Sequence, residues 1–163
     1  MALIQIDHDS DKVGVNLPLN LILPDDLTRG GKPLEERKVL YLLHGLSDDA
    51  SAWQRYTNIE ILARAHGLVV VMPTAGRSFY ANMANGQAYF SYITEELPAW
   101  LAAIFRISSA RENTYIAGPR WAATARSRRL FCDRTSTRLP AASRVCWRSM
   151  RFWHRRTRLK TRH

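Results

Sequence analysis

The sequence predicts an α/β fold, a mainly parallel sheet with helices on either side. Two observations carry this. Short uninterrupted apolar runs recur at 38–43, 68–72 and 114–117, and such runs mark strands buried on both faces. The segments between them carry apolar residues at helical spacing, so strand and helix alternate as βα units do.

The elements follow in order. Residues 13–24 (VGVNLPLNLILP) alternate apolar and polar as a strand or bent hairpin arm, and Pro18 points to an edge or a bulge. Residues 25–33 form a loop punctuated by Gly30 and Gly31. The run 38–43 leads directly into His44-Gly45-Leu46-Ser47-Asp48-Asp49. Residues 52–66 read as a helix through Trp53, Ile59, Leu62 and Ala63, capped by Gly67. The strand 68–72 is stopped by Pro73, and a loop with glycine and aromatics runs to Gln87. Residues 88–105 read as a long helix that must kink or break at Pro98. His8 and His66 read as surface residues, and Glu95 and Glu96 as a solvated helix face.

Charge divides the chain. Its 163 residues sum to +10, which would ordinarily suggest a nucleic-acid or anionic-surface binder. Residues 119–163 hold thirteen arginines and one lysine against a single acid, Asp133, while residues 1–118 carry ten basic and thirteen acidic residues. The first segment reads as an ordinary, mildly acidic domain. The second reads as an arginine-rich tail, irregular or disordered. Both cysteines, Cys132 and Cys146, fall in the tail and fit neither a disulfide framework nor a zinc spacing. The N-terminus lacks the pattern of a signal peptide, and no apolar run approaches the roughly 20 residues of a membrane span. The expectation is a cytoplasmic protein without metal or membrane contact, its oligomeric state left open.

In an open α/β sheet, ligands bind beyond the carboxyl ends of the strands. Chemistry is therefore expected in HGLSDD, in the loop after Met72 and immediately after Gly118. A strand ending in a His-Gly turn can aim a backbone N–H at a substrate carbonyl oxygen, because glycine leaves the approach open. The ordered set YLLHGLSDDASAW, TNIE, VVVMP, a tyrosine-bearing loop, YITEELPAWL and TYIAG resembles the esterase D group of α/β-hydrolases. That group includes S-formylglutathione hydrolases and bacterial tributyrin and acetyl esterases. The resemblance covers residues 1–118 and implies an α/β-hydrolase fold, here incomplete. It implies hydrolysis of a small carboxylic ester or S-formylglutathione thioester through a serine acyl-enzyme, with no metal or organic cofactor. It makes the Leu46 N–H an oxyanion-hole donor in a loop formed with His44 and Gly45. Trp53 and Tyr80 become candidates for the substrate pocket, Trp53 equally an anchor in the core and His44 rather a turn-stabilising residue than a catalytic one.

The family's next element is Gly-x-Ser-x-Gly, a tight turn that exposes the nucleophile. This chain has Gly118-Pro119-Arg120-Trp121-Ala122, and arginine cannot supply a deprotonated nucleophile. Codons permitted for Pro119 to Arg126, read two bases later, spell Ser-Met-Gly-Gly-Tyr-Gly-Ala. The first glycine is forced by Trp121 before Ala122; the rest are allowed by codon choice. The same offset can turn 143–151 into Ser-Gly-Val-Leu-Ala-Leu-Asp-Ala, its first leucine forced by Cys146 before Trp147. The expectation is a frame change near codon 119, with the nucleophile codon across Pro119 and Arg120. No intact catalytic residue then remains in this truncated chain, and Asp133, His154 and His163 have no role.

A competing expectation is a nucleic-acid binder. The tail's arginines would neutralise phosphates while Trp121, Trp147 and Trp153 stack on bases. Against it, the tail carries no recognised nucleic-acid-binding motif.

Overall fold

A computed structural model describes residues 1–26 and 30–118. The chain begins with an antiparallel hairpin, β1 (Ala2–Ser10) and β2 (Val15–Leu23), in register from Ala2–Leu23 to Ser10–Val15. Gly14, at φ +75°, closes the turn by donating its N–H to the Ser10 carbonyl at 2.6 Å. The sequence reading placed a strand at 13–24 and none before it. β1 escaped because Asp7 and Asp9 interrupt it, yet these face water while Ile4, Ile6 and His8 turn toward the core.

Two readings on this edge are corrected. His8 is not a surface residue: it is buried, its ring 4.6 Å from that of Trp100 and 5.7 Å from that of Tyr92. Glu96 is not a solvated face. Its carboxylate accepts from the Ser10 hydroxyl at 2.7 Å, the Asp11 N–H at 2.8 Å and the Lys12 N–H at 3.3 Å, which fastens the hairpin turn to the helix. Glu95 and His66 are exposed, as read.

β3 (Val39–Leu42), β4 (Val69–Pro73) and β5 (Thr114–Ala117) are the three apolar runs. The sheet order is β1-β2-β4-β3-β5. β3 lies parallel to β4 and to β5, and β2 joins β4 antiparallel. Pro18 is neither on an edge strand nor at a bulge. It lies one residue past the last β2–β4 pair, Leu19–Pro73, so the ladder stops where its donor is missing.

Alternate strand residues serve two cores, as strands covered on both faces require. Leu19, Leu21, Val39, Tyr41, Val69 and Val71 pack on one face; Ile22, Leu42, Val70 and Met72 pack on the other. The second face is covered by α2 (Ile59–His66), through Ile59 and Ala63. A separate short helix, α1 (Ala52–Tyr56), precedes it, so the single helix expected at 52–66 is broken at Thr57 and Asn58. Gly67 ends α2 at φ +61°, the left-handed cap expected of it.

The first face is covered by a helical run: α3 (Tyr89–Ser91), a π-helical turn (Tyr92–Glu96) and α4 (Leu97–Phe105). Pro98 falls in the first turn of α4, where a missing N–H costs little. The wider π turn just before it carries the Leu97 N–H to the Tyr92 carbonyl, and the helix passes the proline without breaking.

Candidate active site

The carboxyl ends of β3 and β5 leave the sheet side by side. Leu42 pairs with Ala117, and the Leu43 N–H donates to the Ala117 carbonyl at 2.8 Å. The His44-Gly45-Leu46 turn therefore emerges next to Gly118, the last described residue. Pro119 and Arg120, the tail's tryptophans and cysteines, Asp133, His154 and His163 all lie outside the described residues.

Within the turn, His44 and Gly45 are buried and Leu46 is half-buried. The Gly45 carbonyl accepts from His44 Nδ1 at 2.7 Å and from the Asp48 N–H at 3.1 Å. The Ala75 N–H donates to His44 Nε2 at 2.9 Å. The Leu46 N–H meets no acceptor among the described residues. A half-buried donor of this kind, on a turn at a sheet's carboxyl end, is what an oxyanion site needs.

Neighbouring elements brace the turn. Tyr80, buried, donates its hydroxyl to the His44 carbonyl at 3.0 Å. Burial is the main cause that raises its pKa well above the ordinary phenol value, so the hydroxyl stays protonated and able to donate. Phe79 and Tyr80 both adopt φ +54°, a left-handed conformation unusual for aromatic residues. Further along, the Ala50 N–H donates to Thr74 Oγ1 at 3.1 Å. Asn20, from β2, bridges to the Ala50 carbonyl at 3.2 Å and Gln54 Oε1 at 2.9 Å. Asp49 accepts from the Ser51 N–H and hydroxyl, which hold its carboxyl below the usual range.

Trp53 is half-buried against the second core and donates its indole N–H to the Leu43 carbonyl at 3.0 Å. The structure thus brings His44, Gly45, Leu46, Trp53 and Tyr80 together around one turn. Sequence reasoning missed the three braces Asn20, Thr74 and Ala75. Two of these act through backbone or short polar groups and leave no pattern to read.

The family model Esterase, described as "Putative esterase", matches residues 10–123. The chain belongs to this family. An acetyl esterase of Caldicellulosiruptor saccharolyticus is 29% identical over 123 residues, covering 72% of this chain and 46% of the relative. Among solved structures, FphF, a Staphylococcus aureus fluorophosphonate-binding serine hydrolase, superposes with a TM-score of 0.65 at 39% identity. The S-formylglutathione hydrolase FrmB from Staphylococcus aureus gives 0.62, also at 39% identity. Both matches cover 72% of this chain and 46% of the other. The chain thus spans about half the length of the relatives it matches, and the sheet described here is part of the α/β-hydrolase fold they share.

No group of three or more potential metal ligands occurs among the described residues, and none of their helices is long and apolar enough to cross a membrane. A groove of about 420 Å³, lined by Glu35, Arg106 and Ser108 among others, lies before the amino ends of β3 and β5, away from the His44 turn.

Proposed function

We propose that this chain is the N-terminal half of a serine esterase for small carboxylic esters or thioesters, with its nucleophile elbow lost to a frame change after Gly118. The observation that carries the reading is the Leu46 N–H, which meets no acceptor among the described residues, on a braced turn beside the end of β5. In acyl transfer that N–H would hold the developing oxyanion, a contribution of about 3–4 kcal/mol for one donor. The second donor would be the N–H after the nucleophile, delivered by the elbow that follows β5. The serine would attack the carbonyl carbon, with histidine as its base and aspartate orienting that base. In chain order both follow the serine, so under this reading they lie beyond the frame change. Acetyl or similarly short acyl groups fit the likeness to an acetyl esterase, and the thioester class fits the likeness to an S-formylglutathione hydrolase.

The chain as written hydrolyses no ester under this reading. The test compares it with the product of the same gene read two bases later from codon 119, using p-nitrophenyl acetate. The reframed product should give a burst of p-nitrophenolate and this chain none. A burst from this chain, or none from a folded reframed product, would overturn the proposal.

A further inference from the structure

We infer that His44 is a positioning residue that sets the direction of the Leu46 N–H through one neutral tautomer, and that the Ala75 N–H imposes that tautomer. The inference rests on the reading of Leu46 as the oxyanion donor and says what aims it.

Ala75 brings a backbone N–H to 2.9 Å from Nε2 of the buried His44 ring. A backbone N–H can only donate, so Nε2 must accept and carries no proton. In a neutral imidazole the proton then sits on Nδ1. Nδ1 lies 2.7 Å from the Gly45 carbonyl oxygen, which can only accept, and the Nδ1–H donates to it. The Gly45 carbonyl and the Leu46 N–H belong to the same planar trans peptide and point in opposite directions. Fixing the oxygen therefore fixes the N–H. The preceding peptide is held in turn by the Tyr80 hydroxyl on the His44 carbonyl at 3.0 Å.

The line of control runs from the loop after β4, through one ring, to the donor after β3. The second bond on the Gly45 oxygen, from the Asp48 N–H at 3.1 Å, closes the turn locally and does not depend on the ring. Substitution of His44 alone therefore separates the two contributions.

The experiment uses the full chain labelled with ¹⁵N. A long-range ¹H–¹⁵N spectrum of the five histidine side chains reads the tautomer of His44, assigned by the signal lost in His44→Asn. The expected result is a proton on Nδ1 and a bare Nε2. In His44→Asn an amide N–H stands near the place of Nδ1, so the Leu46 amide cross-peak should stay close to its original position. In His44→Ala the bond is gone and the cross-peak should leave that position. A proton on Nε2, or a Leu46 cross-peak indifferent to His44→Ala, would overturn the inference. The ring is also assigned on the unsubstituted chain, by its contact with the Ala75 amide, so the inference remains falsifiable even if a variant does not fold. A gene with no recoverable serine frame would remove the donor's catalytic meaning and leave this spectrum unchanged. An Nε2–H ring would end the relay and leave the esterase reading intact.

Discussion

The indole N–H of Trp53 donates to the Leu43 carbonyl at 3.0 Å, and the N–H of the same Leu43 donates to Ala117 at 2.8 Å. One residue at the end of β3 thus ties α1 and β5 to the root of the His44 turn. Trp53→Phe keeps most of the ring and deletes the donor, leaving the buried Leu43 carbonyl without it. Urea denaturation should show a loss of about 1–2 kcal/mol. An unchanged midpoint would mean that Trp53 acts through packing alone.

Phe79 sits at φ +54° and is 52% exposed, so only part of the residue is buried where the left-handed backbone is held. Holding a non-glycine residue there costs about 1–3 kcal/mol, against the roughly 0.5–1 kcal/mol that glycine loses in chain entropy. Phe79→Gly should therefore stabilise the chain by about 1 kcal/mol in thermal or urea unfolding. Destabilisation would show that the Phe79 ring contributes more than its exposure implies.

Asp49 contributes a pH dependence of known sign. Its carboxyl is held low chiefly by the Ser51 hydroxyl, then by the Ser51 N–H. A depressed folded-state pKa means that the unfolded chain binds the proton more readily. The stabilisation is complete above the ordinary aspartate range and is lost as pH falls from about 4 through the lower folded value. Asp49→Asn should lower stability slightly in the neutral region, converge with the parent chain in acid where Asp49 is protonated, and so flatten that part of the stability profile. An identical acid limb in both proteins would contradict this.

β3 and β4 were legible because they are covered on both faces and spell themselves as continuous apolar runs. β5 spells the same pattern but is not buried on both faces, since it ends the sheet among the described residues with Tyr115 exposed and its other residues half-buried. Gly67 was legible as a cap for a similar reason, since the left-handed turn asks for that residue. β1 was not, because an edge strand turns every second residue to water and its aspartates look like loop. His8 and Glu96 were misread for one shared cause. Their partners, Trp100 for the first and Ser10 for the second, are more than eighty residues away in sequence, and no local pattern announces a contact at that range. The site divides in the same way. His44, Gly45 and Leu46 are one contiguous motif and could be read. The Asn20, Thr74 and Ala75 braces converge only when the strands are assembled.

We propose that the bases after the Gly118 codon spell a serine elbow in another frame, beside the His44-Gly45-Leu46 turn. The nucleotide sequence across codon 119 tests this most directly. The account predicts that, two bases later, it reads Ser-Met-Gly-Gly-Tyr-Gly, followed downstream by Ser-Gly-Val-Leu. A sequence whose codons there permit neither the serine nor the glycines beyond the forced one would contradict it.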